Sequence, residues 1–305
     1  MSHALPPTID PAAAARWTRL SATAASPWLH EEVARRMEER LQWITLQPQS
    51  WLHWEPLRGG LQAQALLAKR YAKSKCFLAF AHAQHAQAAS KLIAPGWWNP
   101  ARWGGPSVHL GLPPQPVQML WANMDLHMVA DPQARIAQWH DLLQTDGFLM
   151  FSCLGPDTLR ELRAVYAAKG WSAPAHAFTD MHDWGDMLVQ AGFSEPVMDM
   201  ERITLSYSTA EKALAELREL GRNLHGARFA GLRGRAWHQA LCEAMRTGLA
   251  DPADSTGNGR LHLGFEIIYG HAFKPAARMP VRANSAISLE QMRGALGLGG
   301  TRERL

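Results

Sequence analysis

Short apolar runs alternate with longer helical stretches through the middle of the chain. Residues 50–53, 76–80, 117–121 and 147–153 have the length and apolar character of buried strands. A stretch with helical spacing follows each of them. This alternation predicts an α/β fold with a doubly wound, mostly parallel sheet that helices cover on both faces. Ligands of such sheets bind at the carboxyl ends of the strands, where the strand order switches.

A helical arm is predicted before the first strand. Apolar residues recur at helical spacing after Trp28, Ser26 can cap the helix, and Pro48 ends it. Residues 1–25, which are rich in alanine and proline, are expected to be loosely held. We therefore assign residues 1–48 to an N-terminal arm and helix.

The last third of the chain has a different pattern. Residues 196–207 form an extended stretch, and Ser208 and Glu211 have the spacing of a capping box that opens the next helix. Residues 261–273 form a long apolar stretch that is best placed as an antiparallel strand at the edge of the sheet. The C-terminal end of the domain is therefore expected to be antiparallel.

The positive charge of the chain lies at its two ends. Residues 276–305 contain five arginines against two glutamates, and residues 1–25 carry two arginines against one aspartate. These segments account for the whole formal net charge of +4, so the body between them is neutral. The charge hence gives little support to a nucleic-acid surface. We expect residues 276–305 to be a basic, flexible tail.

Composition also bears on the compartment and on metal binding. No apolar run approaches the ~18–20 residues that span a membrane, and the start of the chain lacks the pattern of a signal peptide. The three cysteines, Cys76, Cys153 and Cys242, are far apart, so a reduced, cytoplasmic protein is the simplest interpretation. His82 and His85 have ligand spacing, but nothing supplies a third ligand, and no metal site is expected.

Several longer stretches have the character of family motifs. They read WLHEEVARRMEERLQWITLQP, VQMLWANMDLHMVAD, DGFLMFSCLGPDTLRELR, FTDMHDWGDMLVQAGFSEPVMDME and FEIIYGHAFKP. With them the chain resembles the malonyl-ACP O-methyltransferases of biotin synthesis, the BioC family, over roughly residues 26–275. The later motifs are the more specific ones, because a general methyltransferase would match the strand pattern but not GPDTLRELR or DMHDWGDML.

The resemblance implies a class I, S-adenosylmethionine-dependent methyltransferase with a Rossmann-like domain over residues 49–275. Members of this family methylate the free carboxylate of a malonyl group that acyl carrier protein holds as a thioester. That carboxylate is already ionised near neutral pH, so the reaction needs no general base. The protein has to align the carboxylate oxygen, the methyl carbon and the sulfonium sulfur.

The cofactor loop departs from the family pattern. Class I methyltransferases carry a Gly-x-Gly-x-Gly loop after the first strand, whereas this stretch reads WLHWEPLRGG. The second strand ends in Phe80-Ala81-His82, without the acid that holds the ribose hydroxyls of the cofactor. A rebuilt site would use Glu55, His82 or Gln84 as substitutes. The candidate cofactor-binding residues are His53, Glu55, Gly59, Gly60, His82, Trp121 and Ala122.

Two residues are candidates for the catalytic centre. By the resemblance, Asn123 lies where the fourth strand meets the transferred methyl group, and His127 can form a wall of the site. Asn123 can equally cap the turn after the strand, and His127 can equally face solvent. Both alternatives stay open at the level of sequence.

A basic segment is the candidate substrate surface. Residues 218–235 contain five arginines against one glutamate. Acyl carrier protein is strongly acidic and its arm carries a phosphate, so this segment can dock it, although a solvated helix face has the same composition. By the resemblance, Arg218 can pair with the malonyl carboxylate. The candidate substrate-binding residues are Tyr207, Arg218, Arg222 and Asn223.

Three functions are therefore compatible with the sequence. The first is methylation of malonyl-ACP with a rebuilt cofactor loop, which residues 117–275 favour. The second is a catalytically inactive pseudo-methyltransferase that acts as a protein-binding module, which residues 51–60 and 76–85 favour. The third is a methyltransferase with a different small acceptor.

Overall fold

The computed structural model describes residues 9–20, 25–93, 107–250 and 259–276. Within these ranges the strands form a single sheet. They are β1 (Ser50–Trp54), β2 (Lys75–Ala79), β3 (Val108–Leu110), β4 (Val117–Ala122), β5 (Leu143–Leu154), β6 (Ser194–Tyr207) and β7 (Leu261–Phe273).

Helices pack on both faces of this sheet. Apolar residues of α2 and α4 belong to one buried cluster, and those of α6 and α8 to a second cluster on the other face. The helices are α1 (Pro11–Arg19), α2 (Trp28–Arg40), α3 (Pro56–Gly59), α4 (Leu61–Arg70), α5 (Ala83–Ile93), α6 (Pro132–Leu142), α7 (Arg160–Ala168), α8 (Met181–Gln190), α9 (Ala210–Leu220) and α10 (Arg235–Gly248).

The strand order is β3-β2-β1-β4-β5-β7-β6. Strands β3, β2, β1, β4 and β5 are parallel, and β7 is antiparallel to both β5 and β6. The predicted doubly wound, mostly parallel sheet with an antiparallel C-terminal strand is confirmed. The strand order switches between β1 and β4, where Trp54 pairs with Ala122. Ligands are expected at this point of the sheet.

The position of β7 in the sheet was predicted wrongly. It lies between β5 and β6, and β6 forms the edge. The residues of β7 are buried almost without interruption, as in a strand that is covered on both faces, whereas those of β6 alternate between partly buried and exposed. A long apolar strand is therefore better placed inside a sheet than at its edge.

Part of the N-terminal arm forms a helix that was not predicted. Residues 11–19, which were expected to be loosely held, form α1, and the side chain of Asp10 caps it by accepting the N–H of Ala12. Alanine has the highest helix propensity, and the proline stands at the first position, so the capping residue and the alanine run together explain the helix.

Two predicted caps are wrong. Ser26 does not cap α2: its hydroxyl donates to the carbonyl of Leu57 and accepts the N–H of Leu61, both at 3.0 Å, so it caps the start of α4 instead. Helix α9 is capped by Thr209, whose hydroxyl accepts the N–H of Lys212 at 3.2 Å, and not by Ser208. Helix α2 has Pro27 at its N-cap and no side-chain cap, whereas in α9 the neighbouring Thr209 offers the same chemistry as Ser208.

The chain divides into two units, Met1–Pro275 and Ala276–Leu305. The predicted tail, residues 276–305, lies outside the described residues except for Ala276. The predicted boundary between residues 48 and 49 stays a prediction. None of the described helices is long and apolar enough to cross a membrane.

Candidate active site

A cavity of about 420 Å3 opens at the switch point of the sheet. We call it the switch-point cavity. Its walls come from α1, from the loop after β1, from the end of β2 and from the turn after β4; they include Trp17, His30, Glu55, Arg58, Ala81, Asn123, Asp125, Met128 and Leu220. The cavity therefore lies where a doubly wound sheet binds its ligand.

Glu55 places a buried carboxylate in this cavity. The residue follows β1 and has a left-handed backbone with φ of +50°. One carboxylate oxygen accepts the N–H of Ala81, which lies just after β2, and the other oxygen lies 3.4 Å from Nδ1 of His85. The side chain thus extends from the end of β1 and places its carboxylate beside the end of β2. No acid of the β2 segment itself reaches this position.

His85 links Glu55 to the helix over the cavity. Its Nε2 lies 3.0 Å from the carbonyl oxygen of Leu20, the residue that ends α1. The hydrogen bond with the Glu55 carboxylate raises the pKa of this imidazole above its ordinary value of 6.5, against the lowering effect of burial. A protonated His85 can donate to both partners, so it ties α1 to the loop after β1.

Replacing His85 by glutamine is expected to lower the free energy of unfolding by about 1.5–3 kcal/mol below pH 6.5, as for one lost charge-assisted hydrogen bond. Because the pKa of His85 is raised in the folded protein, its protonated imidazole contributes its full stabilisation below pH 6.5. This stabilisation is lost as the pH rises through the raised pKa. The difference between wild type and His85→Gln should therefore shrink with rising pH in denaturant titrations. Burial lowers the pKa of His30 and of His53 in both proteins, so the contributions of these two residues cancel in the difference. A pH-independent difference would contradict this account.

Arg58 fastens α1 over the switch-point cavity. Its guanidinium donates to the carbonyls of Trp17 at 2.7 Å and Leu20 at 2.9 Å and lies 4.1 Å from the centroid of the Trp17 ring. Arg228 holds the other end of the helix through Asp10, at 2.6 Å. The helix that closes the cavity is therefore held at both ends.

Gly59 and Asn123 form a tight junction beside the cavity. A Cβ atom on Gly59 would come within 2.9 Å of the carbonyl oxygen of Asn123, so only glycine fits. The amide of Asn123 donates to the carbonyls of His30, at 2.8 Å, and Gly59, and it accepts the hydroxyl of Ser152 at 2.5 Å. Both amide hydrogens are thus used within the protein, while the residue still lines the cavity.

A second cavity of about 210 Å3 adjoins the first, and we call it the apolar cavity. Met128 and Leu220 line both cavities and separate them. The side chain of Met128 lies against Gly221, where a Cβ atom would be 3.2 Å from its Cε. The walls are mostly apolar, and the polar residues among them are His127, His176, Arg218, Arg222 and Asn223. This arrangement suits an acyl group with a charged end.

Comparison with known proteins identifies the family. No family model matches the chain. The malonyl-ACP O-methyltransferase of Gallionella capsiferriformans is 36% identical over 272 residues, which cover 84% of this chain and 87% of the relative. That of Nitrosospira multiformis is 34% identical over 272 residues, which cover 83% and 85%. The chain belongs to the malonyl-ACP O-methyltransferase family.

A solved structure supports the fold class. A Bacillus halodurans protein named as a methyltransferase superposes with a TM-score of 0.52 and 13% identity, over 80% of this chain and 99% of that one. The class I methyltransferase-like fold and the family resemblance that the motifs predict are therefore both confirmed. This member of the malonyl-ACP O-methyltransferase family has the sequence EPLRGG in the loop after β1.

Of the seven predicted cofactor residues, Glu55 lines the switch-point cavity and six do not: Gly59 packs against Asn123, Gly60 packs against Glu31, and the other four belong to β1, to β4 and to the segment after β2. His53 is buried in β1, where its Nδ1 lies 2.9 Å from Oε1 of Gln64; burial lowers its pKa to about 4, so it is neutral. Trp121 and Ala122 are buried in the core, and His82 is partly exposed after β2. None of these four lines the cavity among the described residues. Their roles in binding a cofactor stay predictions.

The predicted substrate residues divide into two groups. Arg218, Arg222 and Asn223 line the apolar cavity together with His127, which burial keeps neutral by moving its pKa well below the ordinary value. Tyr207 is buried at the end of β6 and lines neither cavity. The structure therefore brings together the arginines and the histidine but not the tyrosine.

Sequence reasoning missed the residues that close and divide the site. Trp17 stands in a segment that was expected to be loose, and Met128 and Leu220 were not among the predicted site residues. The signal for α1 was present in Asp10-Pro11 and the alanines, whereas nothing local marks Met128. In the described part of the chain, no group of three or more histidine, cysteine, aspartate or glutamate side chains could hold a metal ion.

Proposed function

We propose that this chain transfers a methyl group from S-adenosylmethionine to the free carboxylate of malonyl-ACP. The observation that carries the proposal is the similarity, over more than four fifths of both chains, to relatives that are named for this reaction. Two adjoining cavities, one at the switch point and one apolar with arginines in its wall, give room for a cofactor and an acyl acceptor.

The switch-point cavity fits the cofactor, with Glu55 in place of the lost acid. A carboxylate that is buried beside the end of β2 can accept the ribose hydroxyls, since it keeps lone pairs beyond the one that Ala81 uses. The ring of Trp17 and the backbone around Ala81 would complete the pocket. When bound, S-adenosylmethionine supplies an electrophilic methyl group on a sulfonium centre.

The apolar cavity fits the malonyl group. Arg218 and Arg222 offer positive charge to its carboxylate, and burial lowers the pKa of Arg222 without discharging it. The carboxylate is already ionised, so neutral His127 has no proton to remove and serves as a wall. The contribution of the chain is to hold the carboxylate oxygen in line with the methyl group and to exclude water.

Incubation with malonyl-ACP and S-adenosylmethionine tests this function. We expect mass spectrometry to show a methyl ester on the malonyl group and none on acetyl-ACP, which has no free carboxylate. If malonyl-ACP binds but gains no methyl group, the enzyme function is wrong and the protein-binding alternative replaces it. If the ester forms on a small acid and not on malonyl-ACP, the acceptor is wrong.

A further inference from the structure

A third cavity, of about 260 Å3, lies under the segment that joins α9 to α10. We call it the outer cavity. Its lining combines aromatic rings with polar and cationic groups: Tyr166, Ser172, Asn223, Arg228, Arg233 and Trp237. The function proposed above leaves these residues without a role, apart from Asn223.

Arg233 is held in this cavity by two aromatic rings. Its guanidinium carbon lies 4.1 Å from the ring centroids of both Phe229 and Trp237, and one nitrogen donates to the hydroxyl of Ser172 at 3.3 Å. Among the described residues, no carboxylate forms an ion pair with it, whereas Arg228 is paired with Asp10. A guanidinium stacked on its faces keeps its edge donors for an anion, and phosphate matches that edge.

The three cavities follow one another. The outer cavity shares Tyr166, Pro174 and Asn223 with the apolar cavity, and the apolar cavity shares Met128 and Leu220 with the switch-point cavity. The row begins at the outer cavity, which has cationic residues in its wall, continues through the apolar cavity and ends at the switch-point cavity. A long, thin ligand with an anionic group at one end and a small reactive group at the other matches this order.

We infer that this row of cavities is the path of the phosphopantetheine arm of acyl carrier protein, with its phosphate on Arg233 and Ser172. The inference rests on the proposed function, because it assigns the acceptor of that reaction. The arm passes Asn223, and its malonyl end lies in the apolar cavity beside Met128. Phe229, which is 53% exposed, and fully exposed Leu232 lie in the same segment and offer apolar contacts to the carrier protein.

Two ligands that differ only in the phosphate test this path. Malonyl-phosphopantetheine should bind the wild-type protein about tenfold more tightly than malonyl-pantetheine in calorimetry, as one charge-assisted contact allows. Arg233→Ala should abolish the preference by weakening the first ligand alone. Arg246→Ala removes the same charge from α10, where Arg246 pairs with Glu211 and Glu243 on the surface, and should keep the preference.

The outcomes separate this inference from the proposed function. A wild-type protein without the preference, or Arg233→Ala with the preference intact, would overturn the path. A folded Arg233→Ala variant should bind malonyl-pantetheine with the same affinity as the wild type, and this measurement controls for misfolding. If the preference behaves as expected but no methyl ester forms on malonyl-ACP, the path holds and the proposed function fails.

Discussion

Replacing Glu55 by glutamine is expected to weaken S-adenosylmethionine binding by about ten- to a hundredfold. The substitution keeps the size of the side chain but replaces the charged carboxylate that would accept hydrogen bonds from the ribose hydroxyls. Hydrogen bonds to a charged group contribute about 1.5–3 kcal/mol, and each 1.4 kcal/mol is a factor of ten in affinity. Isothermal calorimetry with S-adenosylmethionine and with S-adenosylhomocysteine measures the change, and both ligands should lose affinity alike because they share the ribose.

Glu31→Gln is the matched control for this variant. Glu31 also accepts a backbone N–H, that of Gln62 at 3.1 Å, but it does not line the switch-point cavity. We expect Glu31→Gln to bind the cofactor like the wild type. Unchanged binding by Glu55→Gln would mean that the carboxylate only holds the loop after β1. Tighter binding by Glu55→Gln would mean that the carboxylate blocks the site, and the assignment of Glu55 would be wrong.

Replacing Met128 by phenylalanine is expected to lower kcat on malonyl-ACP about a hundredfold. Met128 lies between the two cavities that we propose for the donor and the acceptor, and methionine is flexible enough to leave a passage. A rigid ring at this position keeps the reacting atoms apart, and a displacement near 1 Å can cost about a hundredfold in rate. Steady-state kinetics with saturating cofactor measures the loss.

Met128→Ala distinguishes a blocked passage from a lost contact. It also removes the methionine but leaves the passage open, so kcat should stay within about threefold of the wild-type value. Equal losses of kcat in the alanine and phenylalanine variants would show that methionine itself is needed. A blocked passage between the two cavities would then not explain the rate. Thermal melts of both variants control for unfolding, since overfilling a packed site costs about 1–3 kcal/mol and emptying one costs about 2–5 kcal/mol.

The sheet could be predicted from the sequence because its strands are marked locally. The apolar runs of β1, β2 and β4 end within a residue or so of the predicted positions, and the predicted limits of β7 coincide with the observed ones. The local sequence of a strand does not show which strands lie beside it in the sheet. For this reason β7 was predicted at the edge, although it lies between β5 and β6. Strand β3 has three exposed residues, and this run is too short to mark a buried strand.

The site was harder to predict because its residues come from distant parts of the chain. Glu55 was one of three proposed substitutes for the missing acid, and only the structure shows that its carboxylate reaches Ala81, whereas His82 does not line the switch-point cavity. Arg58 was not among the predicted site residues. Its role in fastening α1 depends on Trp17, which lies 41 residues earlier in the chain.

Calorimetric titration of S-adenosylmethionine into the wild-type protein tests the central claim most directly. The claim is that Glu55 and the closed switch-point cavity replace the glycine-rich loop of the family and still hold the cofactor. The account predicts saturable one-to-one binding that S-adenosylhomocysteine displaces. An absence of heat and of displacement at millimolar ligand, in a protein that binds malonyl-ACP, would contradict it and would identify the chain as a non-catalytic binding module.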